Sequence, residues 1–155
     1  MSNSKNHGAI LYRLLEARQN QLIKKAAPSR RNKQSGSIPT PATSKKIHMT
    51  ETRIYIGLND AQKKEQIYET ELYMNVLKYV CHNYHVDFSV DIEHGGYFHD
   101  DGEYTEETSF VLLLIDVDQN VVSEIAKDLC TFFHQESVLV TENQIDGYFI
   151  SGNML

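Results

Sequence analysis

Acidic residues are almost missing from the first 48 positions of this 155-residue sequence, tryptophan is missing throughout, and there are only two cysteines and three prolines. Two cysteines, Cys81 and Cys130, are too few for a disulfide framework and read as reduced thiols of a cytoplasmic protein. No apolar stretch approaches the roughly 20 residues of a membrane-spanning helix, and no apolar core near Met1 marks a secretory signal. Glycine-rich phosphate loops, a serine nucleophile elbow and a C-x-x-C pair are also missing, so the enzyme classes that carry those motifs have no support.

What is present is a division of charge. Met1 to His48 holds ten Lys or Arg against the single acid Glu16, a net of +9; Met49 onward holds five bases against twenty acids, a net of −15. Two physically different segments are joined, and the difference bears on partners rather than on fold. In the first, Leu11, Leu14, Leu15, Leu22 and Ile23 recur at helical spacing, which predicts a basic amphipathic helix over 8–26. Residues 27–48 then turn to Ser, Thr, Pro, Arg and Lys, a composition that buries too little apolar surface to order itself and reads as a disordered linker. The segment also has the composition of an organellar transit peptide, and Met49 opens a stretch sufficient for a domain, which leaves 1–48 readable as an upstream-start extension or a fusion.

The acidic part, 49–155, is long enough for one domain with its own core. Thr108 to Ile115, T-S-F-V-L-L-L-I, is its longest apolar run and has the composition of a strand buried on both faces. Before it, Ile54, Ile56 and Leu58 alternate with Arg53, Tyr55 and Gly57, predicting a half-buried strand over 52–58. Asn59 and Asp60 are placed to cap a helix that carries Leu72, Tyr73, Val76, Leu77 and Val80 at helical spacing and ends near Asn83. Val86, Phe88, Val90 and Ile92 alternate with polar residues as a second strand. Gly95-Gly96 predicts a bulge or bend, and Asp101-Gly102 a tight turn returning into the apolar run. Asp116 to Asn120 offers caps for a second helix, with a buried stripe of Val121, Val122, Ile125, Leu129 and Phe132 or Phe133. A last strand is expected over 137–141, with an extension around Tyr148 to Ile150. The order β-α-β-β-α-β predicts an α+β, ferredoxin-like antiparallel sheet with both helices on one face, its first and third strands central. The second and fourth strands become edges, which Asp87, Asp91 and Glu93 would protect from pairing.

Three stretches, Y-I-G-L-N (55–59), G-G-Y-F-H-D-D-G-E (95–103) and F-F-H-Q-E-S-V-L-V (132–140), resemble a family of uncharacterised small bacterial proteins found also on mobile elements of Gram-positive bacteria. The resemblance implies a compact α+β domain and a mobile-element setting, and brings no activity. Where that family often has a tryptophan in the hairpin, this chain has Tyr97.

Three constellations offer chemistry. The hairpin gathers Glu93, His94, Tyr97, His99, Asp100, Asp101 and Glu103, imidazoles and carboxylates that could bind a metal or move protons if they faced one side. Cys81 with His85 and Cys130 with His134 share i, i+4 spacing on the two helices, a geometry open to zinc but equally that of core-facing thiols. Glu136, entering the last strand, reads as a general base or as a capping group. The remaining signal is the carboxylates themselves, grouped along the second and third strands, where an alternating row imitates nucleic-acid phosphates; ordinary solubility is the plainer account.

The sequence therefore predicts a non-enzymatic binding or inhibitor protein of a mobile genetic element, whose acidic domain docks on a basic, nucleic-acid-binding partner such as a host-defence nuclease, in the anti-CRISPR or anti-restriction manner. Asp87, Asp91, Glu93, Asp100, Asp101, Glu103, Glu106 and Glu107 are the expected contacts. Direct nucleic-acid binding is disfavoured for the acidic domain and open to the basic tail. The alternative is a dimeric small-molecule binder or enzyme using His94, Tyr97, His99 and Glu136. No catalytic residue, metal or cofactor is assigned.

Overall fold

The computed structural model describes residues 45–153. The helix expected over 8–26, and the linker as far as residue 44, lie outside the described residues. The elements follow in the order β1 (Ile47–Gly57), α1 (Thr70–Asn83), β2 (Phe88–Phe98), β3 (Tyr104–Ile115), α2 (Gln119–Phe133) and β4 (Leu139–Gly147). One antiparallel sheet has the strand order β2-β3-β1-β4, so β1 and β3 are central and β2 and β4 are edges. This is the ferredoxin-like arrangement, and its centre is the apolar run that dominates the sequence.

Register sorts the side chains. Thr52, Ile54 and Ile56 stand opposite Leu114, Leu112 and Phe110, and all six are buried. They meet Tyr73, Val76, Leu77 and Val80 of α1 and Val122, Ile125, Leu129 and Phe133 of α2, all buried as well. Burying each such apolar side chain contributes roughly 1.5–3 kcal/mol. Phe133 joins the layers, its ring edge-on to Tyr73 at 5.0 Å and to Phe110 at 6.2 Å. The opposite sheet face carries Arg53, Tyr55 and Leu113, all half-buried, and the buried Val111.

Several local expectations are corrected. β1 takes in Ile47 and His48, which composition assigns to the linker. Asn59 and Asp60 do not cap α1, which begins ten residues after Asp60. Asp60 instead holds a tight turn: its Oδ1 accepts the N–H groups of Gln62 and Lys63, its carbonyl accepts from Lys64 N, and Lys64 sits at φ +60°. A single bridge, Asn59 to Gln66, closes this loop, so 61–66 does not continue as helix despite its helix-forming composition. Gly95 and Gly96 form no bulge; they pair residue for residue with Glu107 and Glu106. Gly96 is there for space, because a Cβ on it would lie 2.1 Å from the Tyr104 hydroxyl. Asp101-Gly102 does make the turn, with His99 N donating to Glu103 O and Gly102 at φ +87°. In α2, Asp118 caps through Asn120 N, and Val121 is only half-buried. β4 runs through E-N-Q-I-D-G to Gly147, held along Ile47–Tyr55, and Tyr148, Phe149 and Ile150 lie beyond it, exposed.

The two central strands end unequally. β1 stops at Gly57, opposite Ser109, while β3 extends back to Tyr104 and β2 on to Phe98. The β2–β3 hairpin is therefore a two-stranded arm beyond the end of β1.

Candidate functional site

The arm, the loop after β1 and the α2–β4 junction meet at the end of β1, and the side chains that join them begin with Gly57. An added Cβ there would fall 2.2 Å from Glu107 Oε1. Because position 57 has no side chain, the Glu107 carboxylate folds over the strand and accepts the Asn59 N–H at 3.0 Å. Asn59 is bonded in two further directions: its Nδ2 donates to Glu106 O at 3.2 Å, and its own carbonyl accepts from Gln135 Nε2 at 2.6 Å.

Asp60, 6% exposed, anchors the next link. Besides the two turn amides it accepts from His134 Nδ1 at 2.9 Å, and Ala61 N donates to His134 O. His134 ends α2 in the left-handed region, φ +52°, which turns its imidazole back toward the loop. Burial opposes ionisation of Asp60, but the Lys63 N–H, the His134 ring and the Gln62 N–H outweigh it and hold the carboxyl below its ordinary value of 3.8. A carboxylate held in this way fixes the loop to the helix end.

Two clefts open around this junction. The larger, about 390 Å³, lies on the helix side of the arm, lined by Asn59, Gln66, His94, Tyr104, Glu106 and Thr108. The smaller, about 180 Å³, lies on the other side, between Lys64, Tyr97, Gln135 and Glu136. Asn59 and Glu107 line both. Neither cleft contains an arginine, and Lys64 is the lone basic chain against Asp60, Glu107 and Glu136 in the smaller.

The sequence-predicted residues divide among these places. Asp91 and Glu93 stand exposed on the open sheet face of β2, with Asp87 just before the strand. Asp100, Asp101 and Glu103 are at the arm tip, Asp101 Oδ1 accepting Glu103 N at 3.0 Å. Glu106 and Glu107 point to opposite sides of the arm and into the clefts. The eight acids are thus not one continuous row. Of the alternative set, His94 lines the larger cleft and bonds Thr108 Oγ1, Tyr97 and Glu136 line the smaller, and His99 bonds Thr105 Oγ1 outside both linings. Cys81 is buried, its thiol pushed up to about 12 by desolvation, and burial also raises Cys130. No group of three or more His, Cys, Asp or Glu among the described residues is placed to hold a metal.

Asn59, Gln66, Asp60, Tyr104 and Gln135 are not singled out by sequence reasoning as site residues, and His134 is considered only as a partner of Cys130. A signal exists for three of these six: Asn59 ends the first of the three resemblance stretches and His134 and Gln135 lie in the third, and these stretches converge here with the hairpin.

Among solved structures, the chain is similar to a phage SAM lyase in complex with S-methyl-5′-thioadenosine (19% identity, 65% of this chain and 90% of that one, TM-score 0.47). It is also similar to a B. subtilis GlnK–ATP complex (14%, 63% and 82%, 0.44) and to CPII of Thiomonas intermedia K12 bound to ADP, AMP and acetate (11%, 66% and 91%, 0.40). No curated protein matches. Among the described residues no helix is long and apolar enough to cross a membrane. Residues 51–149 match the model of a family described as proteins of unknown function, DUF3574, and the chain belongs to that family.

Proposed function

We propose that this domain is a binding module for a basic ligand, and that the contact is made at the two clefts around Asn59 and Glu107 rather than along the whole acidic surface. The observation that carries this is the placement of Glu107. Its carboxylate is fixed by the Asn59 amide over a strand position without a side chain, in the wall common to both clefts, with Glu106 on one side and Glu136 on the other. Carboxylates held in concave, partly desolvated surroundings attract cations more strongly than the same groups on an open surface. A phosphate or a carboxylate ligand would meet like charge there.

A cation-binding module of this kind suits a protein partner that presents Lys and Arg, such as a nucleic-acid-binding enzyme. The mobile-element inhibitor acting on a host-defence nuclease is one such case, with Asp91, Glu93 and the arm-tip acids guiding the approach. The small-molecule alternative has less support, since His94, Tyr97, His99 and Glu136 do not share one cleft. A homodimer is compatible with either.

The test is a titration of the full chain with a labelled lysine-rich peptide and with its glutamate counterpart. The basic peptide is expected to bind, more weakly as salt rises, and Glu106→Gln with Glu107→Gln together should weaken it at least tenfold. Equal binding of the acidic peptide, or indifference to the double change, overturns the proposal.

A further inference from the structure

We infer that the basic ligand is an extended peptide segment, taken up as an added β-strand along the free edge of β3 at Tyr104–Glu107. This rests on the preceding reading that the clefts take a basic ligand, and it states the mode of binding.

The edge is free because β1 ends too soon. The last bond between the two strands is Leu58 N to Thr108 O, at 2.9 Å, after which the chain leaves the sheet at Asn59. β3 continues for four more residues with β2 on its other side only. In an antiparallel strand the backbone groups of alternate residues point to the same side. The bond to Thr108 O therefore places the N–H and C=O of Glu106 and Tyr104 on the vacant side. The Asn59 side chain bears this out: its amide donates to Glu106 O, the acceptor that the N–H of an added strand would use. Four residues of edge span roughly 13 Å, enough for a short peptide.

The clefts match what an added strand requires. Successive side chains of a strand point to opposite faces, and the two clefts lie on opposite faces of this edge, the larger beside Glu106 and the smaller beside Tyr97 and Glu136, with Glu107 in the wall between them. In strand addition the main chain supplies affinity and alternate pockets supply the choice of sequence. Carboxylates in both clefts select basic side chains at two consecutive positions. Asn59 leaves Glu106 O as the peptide enters and keeps its backbone bond to Glu107.

The probe is a capped hexapeptide with two adjacent lysines at its centre, flanked by valine and threonine, titrated into the full chain. Two further versions carry N-methyl groups on its odd or on its even residues. Strand addition predicts that one N-methylated version loses at least tenfold in affinity while the other stays within about threefold of the parent. Glu106→Pro removes an edge N–H that pairs with no neighbouring strand, and should weaken the parent peptide in the same way with the circular dichroism spectrum unchanged; Glu106→Gln, which keeps that N–H, should leave the N-methylation pattern intact. If the parent binds but both N-methylated versions bind equally well or equally badly, strand addition is overturned and the basic-ligand reading stands. If the parent does not bind at all, both fall.

Discussion

Replacing Asp60 by alanine removes the acceptor shared by Gln62 N, Lys63 N and His134 Nδ1, at 2.8, 2.9 and 2.9 Å. A lost bond to a charged group costs about 1.5–3 kcal/mol where the partners stay buried. Here Gln62, Lys63 and His134 are exposed, so water takes over part of each bond and roughly 1 kcal/mol apiece is the fitting figure. The sum is about 2–3 kcal/mol, which for a domain of this size lowers the midpoint of thermal unfolding by roughly 10 °C. Urea unfolding at pH 7, read from the tyrosines, should give this difference with an unchanged slope. The pH dependence supplies a second check. The carboxyl of folded Asp60 lies below its ordinary value of 3.8, so its contribution is complete above that value and is lost as pH falls through the folded value. The gap between the native chain and Asp60→Ala should therefore be present in full at about pH 5 and narrow below about pH 4. A variant within 0.5 kcal/mol (about the usual scatter of surface changes) at pH 7, or a gap that widens below about pH 4, refutes the anchoring role of Asp60.

Gly57→Ala sets a cost against a gain: it displaces the Glu107 carboxylate from Asn59 N, about 1–2 kcal/mol, but relieves a strand glycine, about 0.5–1 kcal/mol. Unfolding should then shift by no more than about 1 kcal/mol, while affinity for the lysine-rich peptide falls about fivefold or more by fluorescence titration. Gly96→Val drives the Tyr104 ring from its place over the arm, and because Tyr104 is 55% exposed, peptide binding should suffer more than stability does. The Cys81 thiol, pushed up to about 12, should resist a thiol reagent at pH 8 in the native protein, Cys130 should react slowly, and both should react at once in urea.

The fold was legible because its pattern is consistent at each level: alternation in β1, helical spacing in α1 and α2, and an apolar run for β3, all matching the order of elements. The misreadings fall where a distant contact overrules local preference. Asp60 has the residue type of a helix cap, and its Oδ1 does accept Gln62 N and Lys63 N, but only a turn follows, and its other oxygen is bonded to His134, 74 positions away. Gly95-Gly96 looks like a bulge until Tyr104, across the arm, is seen to need the space. Composition likewise marked the acids but could not separate Glu107, held in a wall between two clefts, from Asp100 at the tip. That difference depends on where β1 ends.

The most direct measurement of the central claim is calorimetric titration of the full chain with the two-lysine hexapeptide at 50 and 300 mM salt, beside the variant in which Glu106 and Glu107 are both glutamine. Saturable binding that weakens about tenfold across that salt range, and is lost in the variant at low salt, is the expected result. Binding unaffected by salt, or retained in full when both carboxylates are gone, would contradict the assignment of this junction as the seat of a cationic ligand.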